Sequence, residues 1–450
     1  MNRVGPAPFQ SVPVRLVAFQ SRDGVVVSLQ TLVRIALAGL LIGNLGRIPA
    51  FSTGEREVPI LLNDLLVAML LVAGAVRAIH VRSLRLDSVA LLSLAFAAIG
   101  GGSTLWSIPR FGLTGFEVAV SLGYLARWLF YFGLYVVFIN VLKTADIEPI
   151  WRTLENLLLV FAAFGILQAL LLPNFAQIVY PSSRVAFDWD AQGHRLVSTW
   201  LDPVFAGAFI MLGLLIEVAQ ISVGTRIAAW KPTLLTVAMV LTASRAAVLA
   251  TAVGGLVILA AVGLSKRLLR FGTGLTLLAV GAIPLVLWFT GLFNKLQVDG
   301  SAMKRFISWA RALHVFVEHP VIGIGFNAWG FVQERYGYVR LYAFTYALDG
   351  GLIFIALMTG MVGLVVYIAM LLVTMKRARR IWRASTSSLE HKGLAIGIAA
   401  GTVALVVDGL FGNSLFLPFL MEIMWLLWAF LFVIRADRAN AARDLRQARL

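Results

Sequence analysis

Residues 351–373 read GLIFIALMTGMVGLVVYIAMLLV, 23 consecutive positions without one charged side chain. As a helix rising 1.5 Å per residue, a run of this length spans roughly 30 Å, the thickness of a bilayer's hydrocarbon core. It shows none of the polar–apolar alternation that a membrane barrel strand requires. Similar runs recur along the chain, and hydropathy places spans near 29–46, 60–76, 87–106, 116–141, 153–172, 200–222, 232–243, 246–264, 271–292, 347–373, 393–411 and 418–434. Composition agrees: of 450 residues, 60% are hydrophobic and 13% charged, against about 25% charged in soluble domains. A soluble globular protein is excluded, and the expected fold is an all-α, polytopic transmembrane helical bundle of about 12 spans.

The chain contains no cysteine. Disulfides, zinc–thiolate sites, iron–sulfur clusters and cysteine nucleophiles are therefore excluded together. Residues 1–28 hold Arg3, Arg15 and Arg22 among Pro6, Pro8 and Pro13, with no apolar core of the signal-peptide kind. The first span is expected to serve as its own insertion signal. With a cytoplasmic N-terminus, the inner segments hold 24 Lys/Arg and the outer ones 12, while Arg34 and Arg127 fall within spans. The cluster Lys376, Arg377, Arg379, Arg380 and Arg383 and the basic tail from Arg435 to Arg449 are then both inside, as the positive-inside rule requires. The net charge of +16 thus reads as topology and contact with anionic lipid rather than nucleic-acid binding. The expected organisation is a cytoplasmic segment 1–28, spans over 29–292 with an outer loop 173–199, a large outer loop 293–346, spans over 347–434, and a cytoplasmic tail 435–450.

Within 232–264, Thr242-Ala243-Ser244-Arg245 interrupts an apolar stretch too long for one straight crossing. Two short helices meeting at Ser244-Arg245 put Arg245 on the outer side. The outer loop 173–199 contains Asp188-Trp189-Asp190, a weak pattern for a divalent metal that reads better as a solvated turn. After it come His194-Arg195-Leu196-Val197 and Asp202-Pro203. In the larger loop, Met303, Phe306, Ile307, Ala310, Leu313 and Val317 recur at helical spacing up to Pro320, the pattern of a helix lying at the outer interface. Lys304, Arg305, Ser308 and Arg311 lie on its polar side. Gly323-Ile324-Gly325 is a glycine turn where backbone can approach a ligand, although taken alone it reads better as a plain tight turn. Tyr336, Tyr338, Tyr342, Phe344 and Tyr346 suit an interface belt or stacking on sugar rings.

Arg195, Arg245 and Arg305 therefore gather on one side of the membrane. A guanidinium presents a rigid fork of donors that pairs bidentately with phosphate oxygens. A pyrophosphate at the membrane surface is a natural partner, although each arginine could instead snorkel or pair with Asp202, Asp299 or Glu318. Arg127, in mid-span, is expected to bond helix carbonyls or a buried acid such as Glu117 rather than substrate.

Four pieces in order resemble the O-antigen ligase and polysaccharide polymerase family of bacterial envelopes: Arg195-Leu196-Val197 to Asp202-Pro203; Thr242 to Arg245; Arg305 through Trp309 to Pro320–Gly325; and Asp349-Gly350 to Gly360–Gly363. The resemblance covers about 195–365. It implies a GT-C-like fold and an inverting, metal-independent glycosyltransferase that needs no cofactor. The donor would be an undecaprenyl-pyrophosphate-linked glycan and the acceptor a glycan or lipid-linked glycan. It further implies the bacterial inner membrane with the site facing the periplasm, and chain-length regulator proteins as candidate partners. Family arginines that bind pyrophosphate map onto Arg195 and Arg245, with Arg305 as the loop arginine. Where the ligase branch has a His-Asn pair as proposed base, this chain has Asp349-Gly350, closer to the polymerase members.

The chemistry also reads from the residues themselves. Displacement at an anomeric carbon needs a group that takes the acceptor's proton and a stabilised leaving group. Asp349 is the candidate base, with His314 and His319 as alternatives and His194 as a further competitor; Asp349 could also cap the following helix. The preferred reading is polymerisation of lipid-linked repeat units, with ligation to lipid A core as the alternative. A lipid-linked oligosaccharide flippase is the second alternative. A flippase would place its charges near the midplane in broken helices, whereas here only Arg127 lies there.

Overall fold

The computed structural model describes residues 19–20, 26–27, 29–53, 56–82, 84–181, 193–263, 300–338 and 348–447. Among these residues the chain forms fourteen α-helices. The first five are α1 (Leu29–Ile42), α2 (Leu62–Val81), α3 (Ser88–Phe111), α4 (Gly115–Val141) and α5 (Thr144–Leu171). Then follow the short α6 (Phe175–Val179), α7 (Pro203–Ser222), α8 (Trp230–Thr242), α9 (Arg245–Val262), α10 (Gly300–Glu318) and the short α11 (Trp329–Arg335). The last three are α12 (Gly351–Trp382), α13 (Leu389–Asp408) and α14 (Pro418–Gln447). Two antiparallel hairpins are the strands present among the described residues, Phe19–Gln20 with Val26–Val27 and Arg47–Thr53 with Arg56–Leu61.

Nine of the described helices are long and apolar enough to cross a membrane: α2, α3, α4, α5, α7, α9, α12, α13 and α14. The protein is a membrane-integral all-α bundle. The apolar helix α1 is shorter, and the span expected at 271–292 lies outside the described residues. The span expected at 232–243 is α8, whose 13 residues reach only about 20 Å. It ends where Ala243 turns left-handed at φ 49° and Ser244 caps α9 by accepting from the Ala247 N–H. The interruption at 242–245 thus separates two helices, as expected. α8 packs on α5 and α7, whereas α9 packs on α13 and α7.

Helix α12 extends nine residues past the expected end at 373 and takes in the basic cluster. Arg377 is 4% exposed and pairs with Asp87, while its guanidinium also donates to the Tyr135 hydroxyl at 2.9 Å. This arginine is a buried helix-to-helix bond and not only a topology signal. Arg127 likewise bonds Asp64 at 2.7 Å and the Pro59 carbonyl at 3.4 Å. Glu117, the acid expected to hold it, pairs with Arg335 at 2.5 Å. Asp64 on α2 and Arg127 on α4 are 63 residues apart in the sequence, so only the packing of α2 on α4 brings them together.

The other break in regular backbone lies within α12. Gly360 has φ 66° and ψ −172°, a conformation essentially reserved for glycine, and a Cβ there would lie 2.0 Å from the Val321 carbonyl oxygen. The segment 320–325 fills the gap that this kink opens. Met361 N–H donates to Pro320 O at 2.7 Å, Ile324 N–H to Leu357 O at 3.0 Å and Gly325 N–H to Met358 O at 3.2 Å. Ser103 and Thr104 of α3 complete the clasp, their hydroxyls accepting from Gly325 and Phe326 N–H. Backbone polar groups away from water must be paired inside the protein. The Gly323-Ile324-Gly325 turn therefore packs its backbone on α12.

Candidate functional site

The starts of α7, α9 and α12, the end of α13 and one side of α10 meet at one end of the bundle. Arg195 stands in the strap that leads into α7. Its Nε donates to Thr242 O at 2.9 Å and its Nη2 to Ala243 O at 3.5 Å, which holds it against the turn that ends in Arg245. Gln168 fixes the strap by accepting from Val197 and Ser198 N–H and donating to Arg195 O. Trp200 anchors its far side, donating to Leu40 O at 2.8 Å and stacking on Phe209. Arg245 occupies the first position of α9 and is exposed. A cation there adds to the positive end of the helix dipole instead of opposing it, an arrangement that an anion would relieve.

Asp202 caps α7, its Oδ1 accepting from Val204 N–H at 2.7 Å and Phe205 N–H at 3.2 Å, with Pro203 at the first helical position. Burial pushes its carboxyl up to about 6; those two hydrogen bonds and the charge of Arg195 oppose the rise, and Asp349 adds to it.

Asp349 lies just before α12. It does not cap that helix: the cap is Gly350, with φ 114° and no side-chain bond. The capping role expected as one reading of Asp349 is thus overturned, because the left-handed Gly350 takes the cap position. The carboxylate instead faces Arg305 of α10, Nε to Oδ2 at 3.4 Å, with about a quarter of each side chain exposed. Trp309 donates to the Asp349 carbonyl at 2.7 Å, and a Cβ on Gly350 would come within 2.8 Å of that indole nitrogen. Burial raises the Asp349 carboxyl above the ordinary range, and Arg305 opposes the rise. Asp408, at the end of α13, is fully buried and accepts from the Ser414 hydroxyl through Oδ2, while Oδ1 has no partner among the described residues. Its charge couples to Asp202 and to Arg305. Gly409 O accepts from Gly351 N–H and ties the end of α13 to the start of α12.

Arg195, Asp202, Asp349, Arg305 and Asp408 therefore form one electrostatic group. Sequence reading missed Asp408, although an acid inside an apolar span is itself a functional signal. It also missed Trp309 as a positioning group. The structure does not bring the alternative bases here. His314 Nδ1 meets the Tyr338 hydroxyl at 3.0 Å and its Nε2 lies 3.7 Å from Glu318. His319 Nε2 meets the Tyr336 hydroxyl at 3.0 Å, and its ring packs edge-on to Phe111. Burial and the charge of Arg110 lower its basicity. Fourteen residues separate His319 from Arg305 along α10, about 21 Å. His194 is exposed beside Arg195 with φ 57°. Asp188-Trp189-Asp190 and Tyr342, Phe344 and Tyr346 lie outside the described residues.

The interfacial helix α10 has an orientation that the sequence left open. Met303, Phe306, Ile307, Ala310, Leu313 and Val317 all face outward, with Val317 74% exposed, while Ser308, Ala312 and Val315 are buried against the bundle. The apolar stripe is turned away from the bundle and left exposed, and the side carrying Arg305 and Trp309 faces the site.

Fold and site together define a polytopic membrane protein with a cationic and acidic cluster at one end of its bundle. The O-antigen ligase family model matches residues 233–368, from α8 to the part of α12 beyond its kink. Over that stretch, less than a third of the chain, the sequence is similar to that family, in agreement with the resemblance read from the sequence. The matched stretch includes Arg245, Arg305 and Asp349 and leaves Arg195, Asp202 and Asp408 outside it. No protein of curated function matches the sequence.

Proposed function

We propose that the protein is an inverting glycosyltransferase that polymerises undecaprenyl-pyrophosphate-linked repeat units on the periplasmic face of the bacterial inner membrane. The observation that carries this reading is Asp349: its carboxylate is free of capping duty, faces Arg305 at 3.4 Å, and has its backbone pinned by Trp309. An acceptor hydroxyl oxygen attacks the anomeric carbon of the donor, and its proton passes to the Asp349 carboxylate. The bond between the anomeric carbon and the pyrophosphate oxygen breaks, and its electron pair remains on that oxygen. Arg195, Arg245 and Arg305 stabilise the growing negative charge. Arg305 touches the base in the resting protein and is placed to swing toward the pyrophosphate when the donor arrives. No metal enters these steps.

The test is reconstitution of the full chain with a synthetic undecaprenyl-pyrophosphate glycan, offered either further lipid-linked glycan or lipid A core. Chain growth supports polymerisation. Transfer only to lipid A core establishes the ligase alternative, and movement of the glycan across the bilayer without any new bond establishes the flippase.

A further inference from the structure

Beside the acid cluster lies a second feature that the proposed chemistry does not use. A partly open cavity of about 160 Å³ lies between α4, the start of α11 and the segment that leads into α14. Half of its lining residues are aromatic: Tyr124, Trp128, Phe205, Phe326, Phe354 and Phe416. Three lining residues follow the acids closely: Phe205 after Asp202, Phe354 after Asp349 and Asn413 after Asp408. The arginines stand on the strap before α7, on α9 and on α10, whereas the cavity is lined from α4 and the start of α14.

Two asparagines interrupt the aromatic wall. Among the described residues, Asn327, buried at 4% exposure, has no partner for its Nδ2, and Asn413 has none for its Oδ1. Buried amide groups without partners are uncommon and costly. Their chemistry limits what the cavity can hold. A hydrocarbon chain would satisfy the rings and leave both amides unpaired. A phosphate would find Arg127 already bound to Asp64 at 2.7 Å. A neutral ring with apolar faces and hydroxyl edges meets both demands, since its C–H faces pack on aromatic rings and its hydroxyls both donate and accept.

We infer that this cavity is an acceptor subsite, holding a single pyranose ring between the aromatic walls with its edges on Asn327 and Asn413, so that a hydroxyl is presented to the acid cluster. The inference rests on the glycosyltransferase reading and adds where the acceptor sugar binds.

Two variants test it in nanodiscs of the full chain. Asn413→Leu keeps the branching of the side chain and removes the acceptor oxygen. Asn327→Asp keeps the shape and the tolerance for φ 52° while removing the amide donor. The probes are undecaprenyl-pyrophosphate-linked glycan as donor and, as acceptor, the lipid-free glycan released by mild acid from the host's own lipid-linked repeat unit. Each variant should raise the acceptor KM roughly 3- to 10-fold, the loss expected for one hydrogen bond to a neutral group. Competition by undecaprenyl pyrophosphate should change by less than about 2-fold, well within one hydrogen bond's worth. An unchanged acceptor KM overturns the subsite, and an equal rise in donor and acceptor KM assigns the cavity to the donor's sugar and overturns it too. If either variant fails to fold, Leu417→Phe, which fills the cavity from another wall, should raise the acceptor KM in its place. Saturation-transfer NMR of the released glycan separates this inference from the reading beneath it. Binding that the variants abolish, in a protein that transfers nothing, keeps the sugar site and sinks the glycosyltransferase; no binding to the unaltered protein sinks the sugar site alone.

Discussion

Asp349 and the two outer-loop histidines make different predictions because their surroundings differ. Asp349 is held by its backbone through Trp309 and keeps its carboxylate turned to Arg305, without a role in capping α12. Asp349→Asn should therefore leave folding intact while turnover falls about 10²- to 10⁴-fold, the usual loss of a general base. His314→Ala and His319→Ala should keep transfer, because both rings bond tyrosines just after α11, away from Asp349. Loss of transfer in either histidine variant alongside a normal Asp349→Asn would reverse the assignment. The pH profile supplies a second readout. Burial raises the Asp349 carboxyl, and the base works only when deprotonated. Turnover should thus fall on the acid side at a pH above the ordinary carboxylate range, and Asp349→Asn should abolish that limb. Arg245→Lys keeps the charge and loses the bidentate fork, so transfer should drop while membrane yield holds; equal activity would make Arg245 a snorkelling side chain only.

Among the elements, α12 shows most clearly what a sequence can and cannot reveal. Its apolar run 351–373 is unmistakable as a span, and the family pieces at 320–325 and 360–363 stand out as glycine pairs. Their mutual fit is not visible, because the hydrogen bonds from 320–325 to α12 depend on a kink that only the folded backbone defines. The same holds for α10: helical spacing identified an amphipathic helix, yet either face could have met the bundle until Ser308, Ala312 and Val315 were seen buried. Arg195, Arg245, Arg305 and Asp349 were legible as chemically suited residues. Asp408 was hidden in an apolar span, and its pairing with Ser414 is a matter of how α13 ends. The kink yields its own prediction. Gly360→Ala forces a Cβ to 2.0 Å from Val321 O at a positive φ, and such backbone strain alone costs on the order of 1–3 kcal/mol. The variant should unfold at markedly lower temperature in detergent, and an unchanged melting temperature would show that the loop can leave α12 freely.

For the whole molecule, the arrangement of ends is a statement about sides. Arg195, Asp202, Asp349 and Asp408 share one end, whereas Asp87 and Arg377 pair at the other, beyond the long apolar runs of α3 and α12. By the positive-inside rule the excess of Lys/Arg on the second end is expected in the cytoplasm, which is the basis for the proposal that the acid cluster lies outside. The absence of cysteine makes this directly measurable, since any introduced thiol is unique. His194 is exposed beside Arg195, and Ser385 is exposed in the turn after α12. In intact cells stripped of their outer membrane, a membrane-impermeant maleimide should label His194→Cys and spare Ser385→Cys until the membrane is opened. Labelling of Ser385→Cys alone would invert the bundle. The acid cluster would then face cytoplasmic nucleotide sugars, and a donor carried on the periplasmic face could not reach Arg195 and Arg245.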